Sequence, residues 1–304
     1  MTEHRDHAQG IAVTELSKQY GRQTALDKVT AHFEQGKIHG LLGRNGAGKT
    51  TLMSIICNHS FKSSGSVQVD GHNPAENARI LDRMCFVHEN QRWHDAYTAG
   101  MILRLAKRFY PHWEHALCER MVRRLELPVN SRAGKLSRGQ RSALAVTIAL
   151  ASHAQYTFLD EPYLGMDATA REVFYEELAV TQAQDQRTFL MSSHLIDECA
   201  ALLETVTILH HGRVINASSV DDATANTWVF TGSQELADRV LAGTEILSLT
   251  TMGAMCSMVF RGAISDERHS ALRAASMAEL RNATLQELVS AIGGAQSDNE
   301  MQGE

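Results

Sequence analysis

Gly43-Arg44-Asn45-Gly46-Ala47-Gly48-Lys49-Thr50-Thr51 is the stretch from which the rest of the chain is read. It fits the pattern G-x-x-x-x-G-K-[ST] at Gly43, Gly48, Lys49 and Thr50. In such a loop glycines let the backbone turn tightly and aim its N–H groups at phosphate oxygens. Lys49 is then a point charge for the β- and γ-phosphates, and the Thr50 hydroxyl is a ligand for Mg²⁺. A helix behind the loop turns its positive end toward the same anion. The flanks agree with this chemistry. Ile38–Leu42 reads as a short buried strand, and Thr51–Cys57 reads as a helix.

The whole chain sets wider limits. A length of 304 residues suggests one large or two smaller domains, and 43% apolar with 21% charged residues allows a sizeable core. A net charge of −6 gives no reason to expect nucleic acid as a partner. The apolar run Leu144–Ala151 contains Thr147 and is too short to span a bilayer. Met1–Gly10 is polar and does not resemble a secretory signal. Cys57, Cys85, Cys118, Cys199 and Cys256 form no C-x-x-C pair and read as reduced thiols of a cytosolic chain. No internal repeat is visible, and the small, acidic stretch 293–304 reads as a disordered tail.

In chain order, Ile11–Tyr20, Ala25–Glu34 and Gly65–Gly71 read as strands of a small antiparallel sheet. Tyr20, ahead of the glycine loop, offers an aromatic face for a purine base, or else packs at a strand end. Met84–His88 is another buried strand and runs into the polar segment Glu89–Asp95. Ala99–Tyr110 and Trp113–Leu127 have apolar residues at helical spacing. His112 and His115 lie one turn apart without a further ligand at suitable spacing, so they read as a solvated pair. Lys135–Arg141 then leads into the apolar helix Ser142–Ser152, a serine and a glycine standing where a helix N-terminus would meet an anion.

Tyr156–Pro162 is an apolar strand that ends in two carboxylates, Asp160 and Glu161. Beside a phosphate loop, Asp160 is placed to hold Mg²⁺ and Glu161 to polarise an attacking water. Leu164–Asp167 is a tight turn, and a Glu- and Arg-rich helix runs from Ala168 to about Leu178. Thr188–His194 is a third core strand ending in a histidine that can donate to the γ-phosphate. Ile196–Glu204 reads as a helix, and Val206–His210 and Arg213–Ile215 read as strands around Gly212.

The order of these segments resembles the ATP-binding cassette (ABC) ATPases over residues 11–223. The motifs that carry the resemblance are the phosphate loop Gly43–Thr50, Leu-Ser-x-Gly-Gln at Leu136–Gln140, Asp160-Glu161, the turn at Asp167 and the switch His194. The resemblance implies an α/β fold, a P-loop NTPase core with an antiparallel β subdomain and a helical subdomain at about 93–152. It implies ATP and Mg²⁺ as cofactors, with Lys49, Glu161 and His194 catalytic. ATP would contact Tyr20, Gly43, Arg44, Asn45, Gly46, Ala47, Gly48, Lys49, Thr50, Thr51 and Glu89. Mg²⁺ would fall to Thr50, Asp160 and Glu89. Two cassettes would close head to tail, identical or different, so that Leu136, Ser137, Arg138, Gly139, Gln140 and Asp167 act on the nucleotide held by the partner.

Two positions depart from the family pattern. Arg138 stands third in the Leu-Ser-x-Gly-Gln motif and adds a cation there. Glu89 occupies the place of the magnesium-sensing glutamine, with Gln91 two residues on as the alternative. The segment Glu89–Asp95 is also where such cassettes meet a membrane permease, which gives Arg92 and Trp93 a docking role. Residues 224–292 read as a small α+β appendage, with strands at Thr227–Phe230, Ile246–Leu249 and Cys256–Phe260 and helices at Ser233–Leu241 and Asp266–Ala275. Thr284-Leu285-Gln286-Glu287 is a capping box before the last helix. The resemblance points to the ATPase subunit of a bacterial export-type transporter, cytoplasmic and held on the inner face of the membrane by its permease. The alternative is a soluble ABC ATPase working on ribosomes or DNA; the single phosphate loop, the lack of heptads and the acidic charge disfavour it.

Overall fold

Three apolar runs, Ile38–Leu42, Tyr156–Asp160 and Thr188–Ser192, are buried at every position. That is the pattern of strands in a parallel sheet covered on both faces. The structure, a computed structural model, describes residues 9–89, 91–241, 243–265 and 278–300. Its contacts form two units: Met1–His194 with Leu202–Ile215, and Leu195–Ala201 with Asn216–Glu304.

The first unit begins with the antiparallel strands β1 (Ile11–Tyr20) and β2 (Gln23–Phe33), followed by β3 (Ile38–Leu42). The glycine loop leads into α1 (Lys49–Ile56), and β4 (Ser64–Val69) returns to β1. This gives a three-stranded sheet in the order β2-β1-β4. Leu52, Met53, Ile55 and Ile56 of α1 share one buried cluster with Val13, Leu26 and Phe33 of that sheet and with Tyr156 and Phe158. The helix behind the phosphate loop is therefore clamped between two sheets.

After the short α2 (Ala78–Leu81) come β5 (Met84–His88), α3 (Ala99–Phe109), α4 (His115–Arg124) and α5 (Arg138–Ala151). Then follow β6 (Tyr156–Asp160), α6 (Ala168–Asp185), β7 (Thr188–Ser192), α7 (Ile196–Cys199), β8 (Thr205–His210) and β9 (Arg213–Ser219). The second sheet has the order β5-β6-β7-β3-β8-β9. Its pairs β5/β6, β6/β7, β3/β7 and β3/β8 are parallel. The fold class read from the sequence stands.

Buried charges fasten this unit. Arg187, 2% exposed, donates to Ala149 O, Leu150 O and Ala154 O at 2.8–3.0 Å and to Thr157 Oγ1 at 2.9 Å. It closes the carbonyl end of α5, where the helix dipole favours a cation. Burial lowers its pKa to about 10. Glu177 on α6 takes Arg120 at 2.9 Å and Arg124 at 3.0 Å from α4. Burial pushes the Glu177 carboxyl up, and the two arginines outweigh it and hold it below the usual range.

In the second unit, α7 is joined by α8 (Val220–Ala225), β10 (Thr227–Ser233), α9 (Gln234–Val240), β11 (Glu245–Met252), β12 (Met255–Arg261), β13 (Glu279–Asn282) and α10 (Leu285–Glu300). The strands form an antiparallel sheet, β11-β12-β10-β13, over a core containing Phe230, Leu236, Cys256, Met258 and Phe260. The capping box is present: Thr284 Oγ1 accepts from Glu287 N at 3.2 Å and Glu287 Oε2 accepts from Thr284 N at 2.9 Å.

Several sequence boundaries move. The helix read as Ala168–Leu178 continues to Asp185, because Gln and Ala favour it until Gln186 turns left-handed at φ 49°. The helix expected at Ile196–Glu204 is α7 followed by a 3₁₀ turn, Ala200–Leu202. The division between units falls at Ile215–Asn216, inside β9, rather than after residue 223. The last helix runs past Gly293 to Glu300, where a disordered tail was expected. The predicted helix Asp266–Ala275 lies outside the described residues. The strand β13 carries no alternation in its sequence, Glu279-Leu280-Arg281-Asn282, and was not foreseen.

His39 in β3 makes stability pH-dependent. It is 1% exposed, with Nδ1 at 2.5 Å from Thr205 Oγ1 and Nε2 at 2.8 Å from Glu34 O. The neutral ring with Nε2–H satisfies both partners. Burial lowers its pKa from 6.5 to about 4. The folded state therefore binds fewer protons than the unfolded state between those values, so stability falls as pH drops through that window. Urea melts of wild type and His39→Gln at pH 7 and pH 5 are the check. Wild type should lose about 2 kcal/mol more than the variant over that interval.

Candidate active site

The parallel register brings three strand ends together. Leu41 of β3 and Asp160 of β6 both pair with Ser192 of β7. Asp160 is 4% exposed, so both of its oxygens must be hydrogen-bonded. Thr50 Oγ1 donates to Oδ2 at 2.5 Å and Ser192 Oγ donates to Oδ1 at 2.6 Å. Ser192 Oγ also accepts from Glu161 N at 3.0 Å. One carboxylate thus joins the first turn of α1 to the ends of β6 and β7.

At Gly48 the phosphate loop packs without spare space. Gly48 has φ 107°, and a Cβ there would lie 2.6 Å from Ala25 O and 2.7 Å from Leu26 Cδ2. No other residue meets both demands. Lys49 Nζ donates to Gly43 O at 2.7 Å and to Arg44 O at 3.2 Å. Burial lowers the Lys49 pKa, and the charges of Glu161 and Asp160 oppose that shift. The ammonium therefore stands in a low-dielectric cleft facing two carboxylates, where a further anion is bound more strongly than in water.

Glu161, immediately after β6, is left-handed at φ 49°. Its Oε2 accepts from Tyr163 OH at 2.5 Å and from His194 Nδ1 at 2.6 Å. Its Oε1 is buried and has no protein partner among the described residues. The His194 side chain is 50% exposed, and its Nε2 edge is the one not turned to Glu161.

Tyr20, Asn45–Thr51, Glu89, Asp160 and Glu161 line one cleft of about 350 Å³, within the range of ligand sites. The structure therefore brings together most of the residues assigned to ATP from the sequence. Gly43 and Arg44 are not among the lining residues; their carbonyls hold Lys49. Tyr20 is half exposed, with Lys18 Nζ 4.6 Å from its ring centroid. Gln23 and Ala25 of β2 also line the cleft and carried no chemical signal in the sequence. Ser192 and Tyr163 were also missed. Each precedes or follows a recognised motif residue and becomes informative only when its hydroxyl is located.

Leu136–Gln140 and Asp167 do not line that cleft. Ser137 caps α5 and forms a capping box with Gln140: Gln140 N to Ser137 Oγ is 3.1 Å and Ser137 N to Gln140 Oε1 is 3.0 Å. This cap starts α5 at Arg138, ahead of the apolar run that signalled it. A Cβ on Gly139 would lie 2.2 Å from Gly165 O, so this segment rests directly on the Leu164–Asp167 turn. Ser142 Oγ donates to Leu164 O at 2.6 Å across the same contact. Asp167 caps α6 through Ala170 N at 2.8 Å.

The two departures from the family pattern form one feature. Arg138 Nη2 donates to Glu89 Oε1 at 2.5 Å, with side chains 60% and 39% exposed. The pair links the exit of β5 to the start of α5, and at that exposure contributes at most about 1 kcal/mol. Arg138 is thus held by Glu89 of its own chain. Beside the pair lies a second cleft of about 390 Å³, lined by Gln91, Arg92, Trp93 and Arg141 among others. Gln91 belongs to this cleft and Glu89 to both. The exposed His115 meets Glu119 at 3.4 Å on α4.

Comparison with known proteins extends the geometry. A family model described as ABC transporter matches residues 26–164. The bacitracin transport ATP-binding protein BcrA of Bacillus licheniformis is 30% identical over 214 residues, covering 69% of this chain and 70% of that protein. The ABC transporter ATP-binding protein NatA of Bacillus subtilis (strain 168) is 30% identical over 222 residues, covering 69% and 90%. Among solved structures, the dimeric post-hydrolysis state of the ATP-binding cassette MJ0796, bound to ADP and Pi, has a TM-score of 0.62 at 21% identity. It covers 69% of this chain and 98% of that one. At that identity the likeness is one of fold.

The contact of Gly139 with Gly165 is directly testable. In an ordinary helix Gly→Ala stabilises by up to about 1 kcal/mol. Here Gly139→Ala must displace the Leu164–Asp167 turn. ATP turnover should fall at least about tenfold. Binding of a fluorescent ATP analogue to the single chain should stay within about twofold of wild type, because Gly139 lies outside its cleft.

Proposed function

This chain belongs to the ATP-binding cassette family and is an ABC transporter ATP-binding subunit, an ATPase; from that premise we propose how its residues work and what it serves. The observation that carries the reading is the convergence of Lys49, Thr50, Asp160 and Glu161 on one cleft. The backbone N–H groups of Gly46–Thr51 and the Lys49 ammonium bind the phosphates, and Tyr20 stacks on the base.

The donor set suits Mg²⁺, a hard cation that keeps several waters and takes one or two protein oxygens. Thr50 Oγ1 and Asp160 Oδ2, 2.5 Å apart, are such oxygens, with Glu89 as the further carboxylate at the cleft. When bound, the ion neutralises charge on the β- and γ-phosphates. The protein's own part is positional. Glu161 holds the attacking water and accepts its proton, and His194 donates to the γ-phosphate. The sequence segments outside the cleft, Leu136–Gln140 and Asp167, complete the site of a partner cassette. The dimeric form of the solved cassette with the same fold supports that arrangement.

The cassette drives a separately folded membrane permease, with export as the direction. The name of a relative, a bacitracin transport ATP-binding protein, supports the transport part of this reading. Among the described residues no helix is long and apolar enough to cross a membrane. The permease docks at the Glu89–Asp95 segment, beside the cleft that holds Arg92 and Trp93. The cargo is selected by the permease. The protein then works on the cytoplasmic face of the membrane.

Glu161→Gln separates binding from turnover. It should reduce ATP hydrolysis at least about a thousandfold and leave an ATP-dependent dimer visible by size-exclusion chromatography. Turnover equal to wild type would remove Glu161 from its role. Affinity capture from detergent-solubilised membranes, read by mass spectrometry, should recover one polytopic partner. Recovery with ribosomes alone would overturn the transport assignment.

A further inference from the structure

Tyr163 has no part in the roles assigned above, yet it occupies the centre of the hydrolytic cluster. It follows Pro162 in the loop after β6 and is 1% exposed. A phenol buried so completely must place its hydroxyl on a partner. Four polar atoms surround that hydroxyl: Glu161 Oε2 at 2.5 Å, Ser193 Oγ at 2.8 Å, His194 N at 2.9 Å and His194 Nδ1 at 3.4 Å. The His194 amide can only donate, and an ionised carboxylate can only accept. The phenolic proton therefore goes to Glu161, and the oxygen accepts from the His194 amide and from Ser193, which is itself 1% exposed. Burial, reinforced by the Glu161 charge, pushes the Tyr163 phenol well above its ordinary pKa, so it stays a donor.

The consequence is an asymmetric carboxylate. Oε2 carries two hydrogen bonds, and Oε1 is buried with no protein partner among the described residues. The terminal torsion of a glutamate is soft and two-fold, so something must choose which oxygen faces the reactants. His194 is half exposed and, in the proposed function, turns to the γ-phosphate. Tyr163 is the partner of Oε2 that stays in place.

We propose that Tyr163 is a positioning residue for ATP hydrolysis, its hydroxyl fixing Glu161 Oε2 and the His194 amide in register so that Glu161 Oε1 receives the proton of the attacking water. The inference rests on the assignment of Glu161 as the water-polarising group. The water oxygen forms a bond to the γ-phosphorus, and the bond from that phosphorus to the bridging oxygen breaks. The electron pair leaves with ADP, and the water's proton passes to Oε1.

Tyr163→Phe removes one oxygen and keeps the ring. In the full chain, kcat for ATP should fall about 10- to 100-fold, while KM and the affinity for a fluorescent ATP analogue stay within about twofold. In a Glu161→Gln background the same change should alter residual turnover less than about twofold, because the carboxylate it positions is gone. Difluorotyrosine at 163 keeps shape and hydroxyl. It should keep turnover within about threefold of wild type, so that the loss in Tyr163→Phe follows the missing hydroxyl and not the altered ring.

Turnover of Tyr163→Phe within twofold of wild type overturns the proposal. So does an equal loss in the Glu161→Gln background, or a fall in nucleotide affinity matching the fall in kcat. If Tyr163→Phe does not fold, 4-methylphenylalanine at 163, which fills the same space without a donor, decides alone, and turnover within twofold of wild type overturns the proposal. Normal hydrolysis by Glu161→Gln itself would instead show that the underlying assignment of the water-polarising group had failed.

Discussion

Asp160 is a carboxylate that cannot be left half satisfied. Buried at the end of β6, it takes one hydrogen bond from Thr50 and one from Ser192. Losing either would cost about 1–3 kcal/mol, a large share of the ~5–15 kcal/mol that holds a domain folded. Both partners are available only because β6, β7 and β3 lie side by side and in register. The strand order, the clamped α1 and the phosphate loop all serve that one alignment. The same alignment faces Lys49 toward Asp160 and Glu161, so the charge balance of the cleft follows from sheet topology.

Satisfied and unsatisfied polar groups separate structure from function in this molecule. Arg187 and Glu177 are buried charges with their donors and acceptors engaged, and both fasten helices to the core. Glu161 is different. One oxygen is held twice and the other has no protein partner among the described residues, and its backbone is left-handed. Such a residue is tolerated where reactants supply the missing interaction. The Leu136–Gln140 segment shows the opposite economy. Its serine and glutamine cap each other, and its glycine is pressed onto Gly165. Its polar groups are satisfied within the chain, and its backbone is fixed against the Leu164–Asp167 turn.

The phosphate loop, the Leu-Ser-x-Gly-Gln segment, the Asp160-Glu161 strand end and His194 were legible in the sequence because each is a contiguous run whose local geometry follows from residue spacing. Their strands were legible for the same reason: apolar runs of five residues bounded by turn residues. Hydrogen bonds from Thr50 to Asp160, 110 positions away, and from Arg138 to Glu89, 49 positions away, have no local signature. Neither has the hydroxyl of Tyr163, which reads as one more apolar core residue until its neighbours are known. The assignment of α7, directly after His194, to the second unit likewise depends on contacts within that unit. The amino-acid sequence by itself determined the chemistry, because phosphate cradles and carboxylate strand ends are built from neighbouring residues. Only the tertiary structure decided which oxygens are held and which are left without a partner among the described residues, because that depends on how distant strands are ordered in the sheet.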